Sequence, residues 1–281
     1  MKKFVLLFCC PDQVGIVARI SSIFFQNGCN ILESDQYRAQ ESRPHFFLRV
    51  VFSVESEGYD NKGMQQHFSE CAAAFSAHWI LRDLGIPLKT AIFLSKDDHC
   101  LSEILYLWSN REIFLEINCL VSNHSHHKSL AERYGIPFHH IASDDKKMAE
   151  ENILKLTKSC TDFLILARYM QILSEDFLEK YQKDLINIHH SFLPSFIGRN
   201  PYQKAFDRGV KMIGATAHFV TKDLDEGPII TQSVKSVSHR DTVEDMKNKG
   251  RILERDTLTE AIRYYAEGKI MKYQNKTIVF S

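Results

Sequence analysis

The chain lacks any net charge: 35 lysines and arginines stand against 35 aspartates and glutamates. That removes the electrostatic footprint expected of a nucleic-acid binder or of a protein held on an anionic membrane. No run of about twenty apolar residues exists, so no membrane span is expected. Repeats and low-complexity tracts are missing as well. The seven cysteines, at 9, 10, 29, 71, 100, 119 and 160, have neither metal-type spacing nor the even count of a disulfide framework. They read as reduced thiols of a cytoplasmic protein. The apolar start, residues 4–10, is too short for a signal peptide and breaks at Pro11-Asp12. What remains is an ordinary globular composition, 44% hydrophobic and 25% charged, and a small, weakly charged partner.

Periodicity divides the chain in two. Residues 4–10 and 29–37 read as strands and 14–26 between them as a helix; residues 45–54 form a third strand, 61–77 a second helix, and Trp79-Ile80-Leu81 opens a last strand. The order is βαββαβ, a ferredoxin-like unit over 1–84. Leu84-Gly85-Ile86-Pro87-Leu88 is the connector. From there to 281, apolar β-runs at 90–94, 113–121, 138–141 and 162–167 alternate with helical stretches, ending in an amphipathic helix over 242–266. This is the pattern of an α/β chain with a mostly parallel, doubly wound sheet, whose ligands bind beyond the strand C-termini.

Chemistry concentrates late in the chain. A strand over 185–191 puts Asn187, His189 and Ser191 on one face, with Ile186, Ile188 and His190 behind, and residues 192–198 read as a loop closing over that face. An amide, an imidazole and a hydroxyl buried together need partners or a ligand, because an unpaired buried polar group costs about 1–3 kcal/mol. A second strand, 214–220, runs into an acidic loop that Gly227 and Pro228 turn back into a strand over 229–237, setting Asp225 near His189. Amide donor, imidazole and carboxylate are the parts needed to polarise a carbonyl oxygen and move a proton. The same residues would also serve as a strand cap and a turn acid, and spacing alone does not choose.

Asn187-x-His189, Ser191-x-Leu193-Pro194 and Leu224-Asp225-x-Gly227-Pro228-Ile229 resemble the signature of the folate-dependent formyltransferase fold. With Ser195-Phe196, Pro201-Tyr202, Gly214-Ala215-Thr216-Ala217-His218 and Ile230 alongside, the resemblance narrows to the formyltetrahydrofolate deformylase branch. It covers nearly the whole chain, because that branch carries an N-terminal amino-acid-binding ACT domain. It implies a ferredoxin-like ACT domain over 1–84 and a formyltransferase-type catalytic domain over 85–281. It implies Asn187, His189 and Asp225 as catalytic residues, and a folate pocket built from Tyr169, Met170, Gln171, Ile172, Leu173, Ser191, Thr221 and Leu224. An amino-acid effector, glycine or methionine, is implied near Asp12, Gly15, Asn30 and Ile31. Asp12 could instead cap the first helix, the unit then serving only to assemble a homo-oligomer.

The reaction class rests on one turn. Relatives with phosphorylated acceptors place a glycine-rich, anion-binding turn after the first strand of this domain. Here it reads Ser95-Lys96-Asp97-Asp98-His99-Cys100, with two aspartates and no glycine. Without a docked amine, water becomes the nucleophile and 10-formyltetrahydrofolate is hydrolysed to formate and tetrahydrofolate, supplying formate for purine synthesis and balancing one-carbon pools. The folate is substrate, and no further cofactor is expected. Asn187 would donate to the oxyanion, His189 would be a second donor or acid, and Asp225 would orient and deprotonate the water. Two alternatives stand beside this: formyl transfer to an amine acceptor, and an amino-acid sensor with an inactive second domain. Gln171, where an arginine is common, and His190, where a proline is common, depart from the best-known transferases. His124, His126, His127, His139 and His140 lack the spacing of a metal site.

Overall fold

Alternation in the first apolar run decides the first unit. β1 (Lys2–Pro11) turns Phe4, Leu6 and Phe8 toward α1 (Ile16–Gln26) and α2 (Asn61–Phe75), where they meet Ile20, Phe24, Met64 and Phe68. β2 (Asn30–Arg38), β3 (His45–Val54) and β4 (His78–Asp83) complete a sheet of order β2-β3-β1-β4, antiparallel at every pairing. This is the βαββαβ arrangement expected from the sequence. Phe24 clamps the core, its ring 4.7 Å from Phe52 and 5.4 Å from Phe68. β2 is an edge strand, exposed along its whole length.

In this computed structural model, which describes residues 1–55, 60–194 and 201–281, the chain forms two units. One comprises Met1–Ile86 with Glu267–Met271 and Ile278–Ser281; the other comprises Pro87–Ala266 with Lys272–Thr277. The boundary near residue 84 therefore sits at Ile86, and short C-terminal segments return to the first unit. Arg49, 3% exposed, explains the return. Its Nη1 lies 2.7 Å from Glu33 Oε2, and its Nε donates to the Gly268 carbonyl at 3.1 Å.

The second unit is built on a seven-stranded sheet. Its strands are β5 (Leu88–Leu94), β6 (Leu115–Ser122), β7 (Phe138–His140), β8 (Phe163–Leu166), β9 (Asp184–His189), β10 (Met212–Phe219) and β11 (Ile229–Ser236). Their order is β11-β10-β9-β8-β5-β6-β7, with β5 to β9 parallel and β10 antiparallel to both neighbours. Both faces of the central strands are buried, as unbroken apolar runs require. Ala91 and Phe93 join a core with Ile153 of α5 (Lys146–Thr157) and Phe177 and Tyr181 of α6 (Glu175–Tyr181). The long α8 (Val243–Ala266) packs on β9, β10, β11 and α3 (His99–Ser109). Strand order reverses between β5 and β8, and such a reversal opens a crevice at the strand C-termini.

Differences from expectation lie at the edges of elements. β9 stops at His189, not at residue 191. The sequence reading contained neither α7 (Pro201–Arg208) nor the hairpin of β12 (Ile270–Tyr273) and β13 (Lys276–Val279). Ser195 and Phe196, like the rest of 195–200, lie outside the described residues.

Candidate active site

The crevice is real and large, a cleft of about 970 Å³ in the second unit. Ends of three strands supply its floor: Asp97 and His99 follow β5, Arg168 to Leu173 follow β8, and Asn187, His189 and His190 come from β9 and its end. The loop after β10 supplies Thr221, Leu224 and Asp225, and α8 supplies Lys247, Arg251 and Glu254.

The catalytic candidates converge. The antiparallel register pairs Thr216 with His189 and His218 with Asn187 across β9 and β10. His189 Nδ1 is 3.2 Å from Asp225 Oδ2, and His218 Nε2 is 3.6 Å from Asp225 Oδ1. Asn187 Nδ2 lies 3.2 Å from His218 Nε2. Asp225 reaches this position because its loop is folded hard against β10. Its own φ of 57° is a left-handed value that costs an ordinary residue energy. Gly227 makes the loop possible, since a Cβ there would lie 1.8 Å from the Phe219 carbonyl oxygen. Phe219 N donates to the Pro228 carbonyl at 2.9 Å and closes the turn.

Electrostatics sort the roles. Burial acts to raise the Asp225 carboxyl, but the hydrogen bond from His189, the nearness of His218 and the positive charge these rings can carry outweigh it and hold the group well below the usual carboxylate range. So low an acid is a weak proton acceptor on its own. With Nδ1 tied to Asp225, His189 offers Nε2, which is buried and has no hydrogen-bond partner among the described residues. His190, beside Arg168, is pushed down to about 4 by burial and by the positive charges of Arg168 and His189, and stays neutral at physiological pH.

The pterin-side candidates gather too. Tyr169, Met170, Gln171, Ile172, Leu173, Thr221 and Leu224 all line the cleft, and Met170, Ile172 and Leu224 are more than half exposed. Met170, Ile172 and Leu224 form an apolar rim of the cleft. A chain of hydrogen bonds holds the loop: Ser95 Oγ accepts from Met170 N at 3.0 Å and donates to Asn123 Oδ1 at 2.8 Å. Sequence reasoning missed Ser95 in this part. Ser191 is not among the cleft residues; beyond the end of β9 its side chain is buried, and its carbonyl accepts from Thr216 Oγ1 at 3.0 Å.

A second polar cluster lines the same cleft. Glu254, 2% exposed, accepts from Tyr202 at 2.7 Å, meets His99 Nε2 at 2.9 Å and lies 3.3 Å from Arg168 Nε, an ion pair without hydrogen-bond geometry. Asp97 takes the other end of Arg168 at 3.2 Å. Burial opposes ionisation of Glu254, but the His99 hydrogen bond and the Arg168 charge hold its carboxyl below the ordinary range. His99, Cys100 and Glu254 are the one group of three potential metal ligands within 4.8 Å of one another among the described residues. They are poor ligands, because Glu254 is fully engaged and burial pushes the Cys100 thiol well above its normal value. His124, His126, His127, His139 and His140 form no such group among the described residues.

In the first unit, Asp12 does not cap α1. Its carboxylate lies 2.5 Å from Arg38 Nε, and the cap position is Gly15, at φ 94° with no side-chain cap bond. Asn30 and Ile31 stand exposed at the start of β2.

Comparison with known proteins places both units in known families. The Formyl transferase family model matches residues 88–262 and the ACT domain model residues 4–60. Formyltetrahydrofolate deformylase of Bacillus subtilis (strain 168) is 44% identical over 279 residues, 98% of this chain and 93% of that protein. The mitochondrial formyltetrahydrofolate deformylase 2 of Arabidopsis thaliana is also 44% identical, over 98% of this chain and 86% of its own. A crystal structure of the deformylase from Pseudomonas syringae pv. tomato superposes with a TM-score of 0.96 at 39% identity, covering 100% of this chain and 95% of that one. Glycinamide ribonucleotide transformylase 1 of Symbiobacterium toebii matches 69% of this chain and 95% of its own, with a TM-score of 0.65 at 27% identity.

Proposed function

The chain belongs to the formyltetrahydrofolate deformylase family, and we propose on that premise how its cleft performs the hydrolysis of 10-formyltetrahydrofolate to formate and tetrahydrofolate. The observation that carries the reading is the Nε2 of His189, free among the described residues, beside a carboxylate that holds Nδ1. His189 takes a proton from water as the water oxygen bonds to the formyl carbon. Asn187 donates an N–H to the oxyanion that forms, and Asp225 stabilises the imidazolium. As the carbon–N10 bond breaks, His189 returns the proton to N10, and formic acid leaves and ionises to formate. This is the logic of a carboxylate–imidazole pair with water as nucleophile. The scheme needs no cofactor beyond the folate.

Hydrolysis is favoured over transfer by the turn after β5, where a phosphorylated acceptor would need open amides. Asp97 is bound to Arg168 and His99 to Glu254, so this corner offers carboxylates and occupied donors. Purified protein should release formate from 10-formyltetrahydrofolate with no amine present. Formate-free turnover that starts only on adding an amine would replace this reading with transfer.

For the first unit the reading is assembly and regulation. The exposed edge β2, with Asn30 and Ile31 at its start, suits pairing with a second copy, and the uncapped start of α1 at Gly15 suits the carboxylate of glycine or methionine. Titrating both amino acids against turnover, in the native chain and in Asp12→Ala, tests the effector; flat responses in both leave assembly alone. Seven free cysteines suit a reducing, cytoplasmic setting.

A further inference from the structure

His218 is 2% exposed, is wedged between two catalytic side chains, and has its protonation written into its contacts. Its Nδ1 lies 2.9 Å from the carbonyl oxygen of Phe219. A carbonyl has no hydrogen to give, so Nδ1 carries the proton, and Nε2 of the neutral ring is a bare lone pair. That lone pair faces Asn187 Nδ2 at 3.2 Å. The Asn187 amide then has one favourable orientation of its two, since turning its oxygen toward Nε2 would oppose two lone pairs. One N–H goes to His218 and the other is left for the cleft.

We propose that His218 is the positioning residue that locks the Asn187 amide with its donor toward the formyl oxygen, and that protonating Nε2 releases the lock. A protonated Nε2 presents a hydrogen to the Asn187 amide hydrogens. The amide must then turn its oxygen inward to His218, or the imidazolium must swing to Asp225 Oδ1, now 3.6 Å away. The oxyanion loses its donor in the first case; in the second, Asp225 divides its charge between two rings. The groups that face His218 are Asp225, on the loop after β10, and Asn187 and the His189 that shares Asp225, both from β9.

The inference rests on Asn187 as the oxyanion donor, and the experiment separates the two. In the full-length protein, His218→Gln places an amide oxygen near the Nε2 position, able to accept from Asn187 and unable to titrate. His218→Phe removes the acceptor. At pH 8, His218→Phe should lose about 100-fold in kcat with KM for 10-formyltetrahydrofolate changed by no more than about threefold. His218→Gln should recover most of that loss. On acidification log kcat should fall less steeply in His218→Gln, which has no Nε2 to protonate, than in the native protein. Adding His218→Phe to Asn187→Ala should cost nothing more. Equal impairment of the Gln and Phe variants, or an unchanged acid slope in His218→Gln, overturns the role of His218. Full activity in Asn187→Ala overturns the oxyanion assignment instead.

Discussion

Two carboxylates, Glu254 buried and Asp225 partly buried, line one cleft and do opposite things. Glu254 is closed: Tyr202, His99 and Arg168 take up its oxygens, and Asp97 holds the far side of the guanidinium. Asp225 is open by one atom, because the imidazole it orients keeps an unpartnered Nε2. Both acids are held below the ordinary carboxylate range against the cost of burial. A depressed acid therefore does not by itself mark a reaction centre. What marks it is a free imidazole nitrogen one bond network away, which can take up a proton where the equally unpartnered Arg168 Nε beside Glu254 cannot.

The comparison breaks most visibly at the closed cluster. Glu254→Ala leaves Arg168 buried with half its partners and strips the acceptor from Tyr202 and His99. Removing one member of a buried ion pair typically costs about 3–5 kcal/mol, and urea unfolding should show a loss of that order. A loss under about 1 kcal/mol would mean the cluster is not the structural joint described.

At the open pair the loss should appear in turnover. Removing one oxyanion donor costs about 2.7–4 kcal/mol of transition-state stabilisation, or 10²–10³ in kcat, and Asn187→Ala should fall there with folate binding retained. Asp225→Asn should lose at least as much, since an amide carries no charge to stabilise the imidazolium. Steady-state kinetics on both variants, with unfolding measured beside them, would sharpen the contrast. A stability loss in Asp225→Asn that matched Glu254→Ala would blur it.

A smaller effect tests the boundary between the two clusters, where His190 sits neutral. Its folded pKa, about 4, lies below its ordinary 6.5, so below pH 6.5 the unfolded chain binds the proton that the folded chain refuses. Stability is whole above pH 6.5 and falls as pH drops toward 4, by up to about 3 kcal/mol for this group. Chemical denaturation from pH 7 to pH 4 should show this slope, and His190→Asn should flatten it. Identical slopes would contradict the burial of a neutral ring there.

The sequence carried the sheet well and singled out three candidate residues that the structure sets together, because unbroken apolar strands and a polar alternation at Asn187 and His189 are local signals. The long α8 and the βαββαβ order were legible for the same reason. His218 was visible only as part of a motif: its role depends on which residue of β9 the register of β10 sets against it, and register is not local. Glu254 gave no signal in an amphipathic helix, since its partners come from residues 99, 168 and 202. α7 is short and polar, and the C-terminal return depends on Arg49, more than two hundred residues away, reaching the Gly268 carbonyl. Ser191 was misplaced by a strand drawn two residues too long.

The central claim is that water, activated by His189 against Asp225, attacks the formyl carbon. Turnover of unlabelled 10-formyltetrahydrofolate in ¹⁸O-water, with the formate analysed by mass spectrometry, tests it most directly. Formate carrying one solvent oxygen, produced at a rate that collapses in Asp225→Asn, is the expected result. Formate without label, or a rate indifferent to Asp225, would contradict the account.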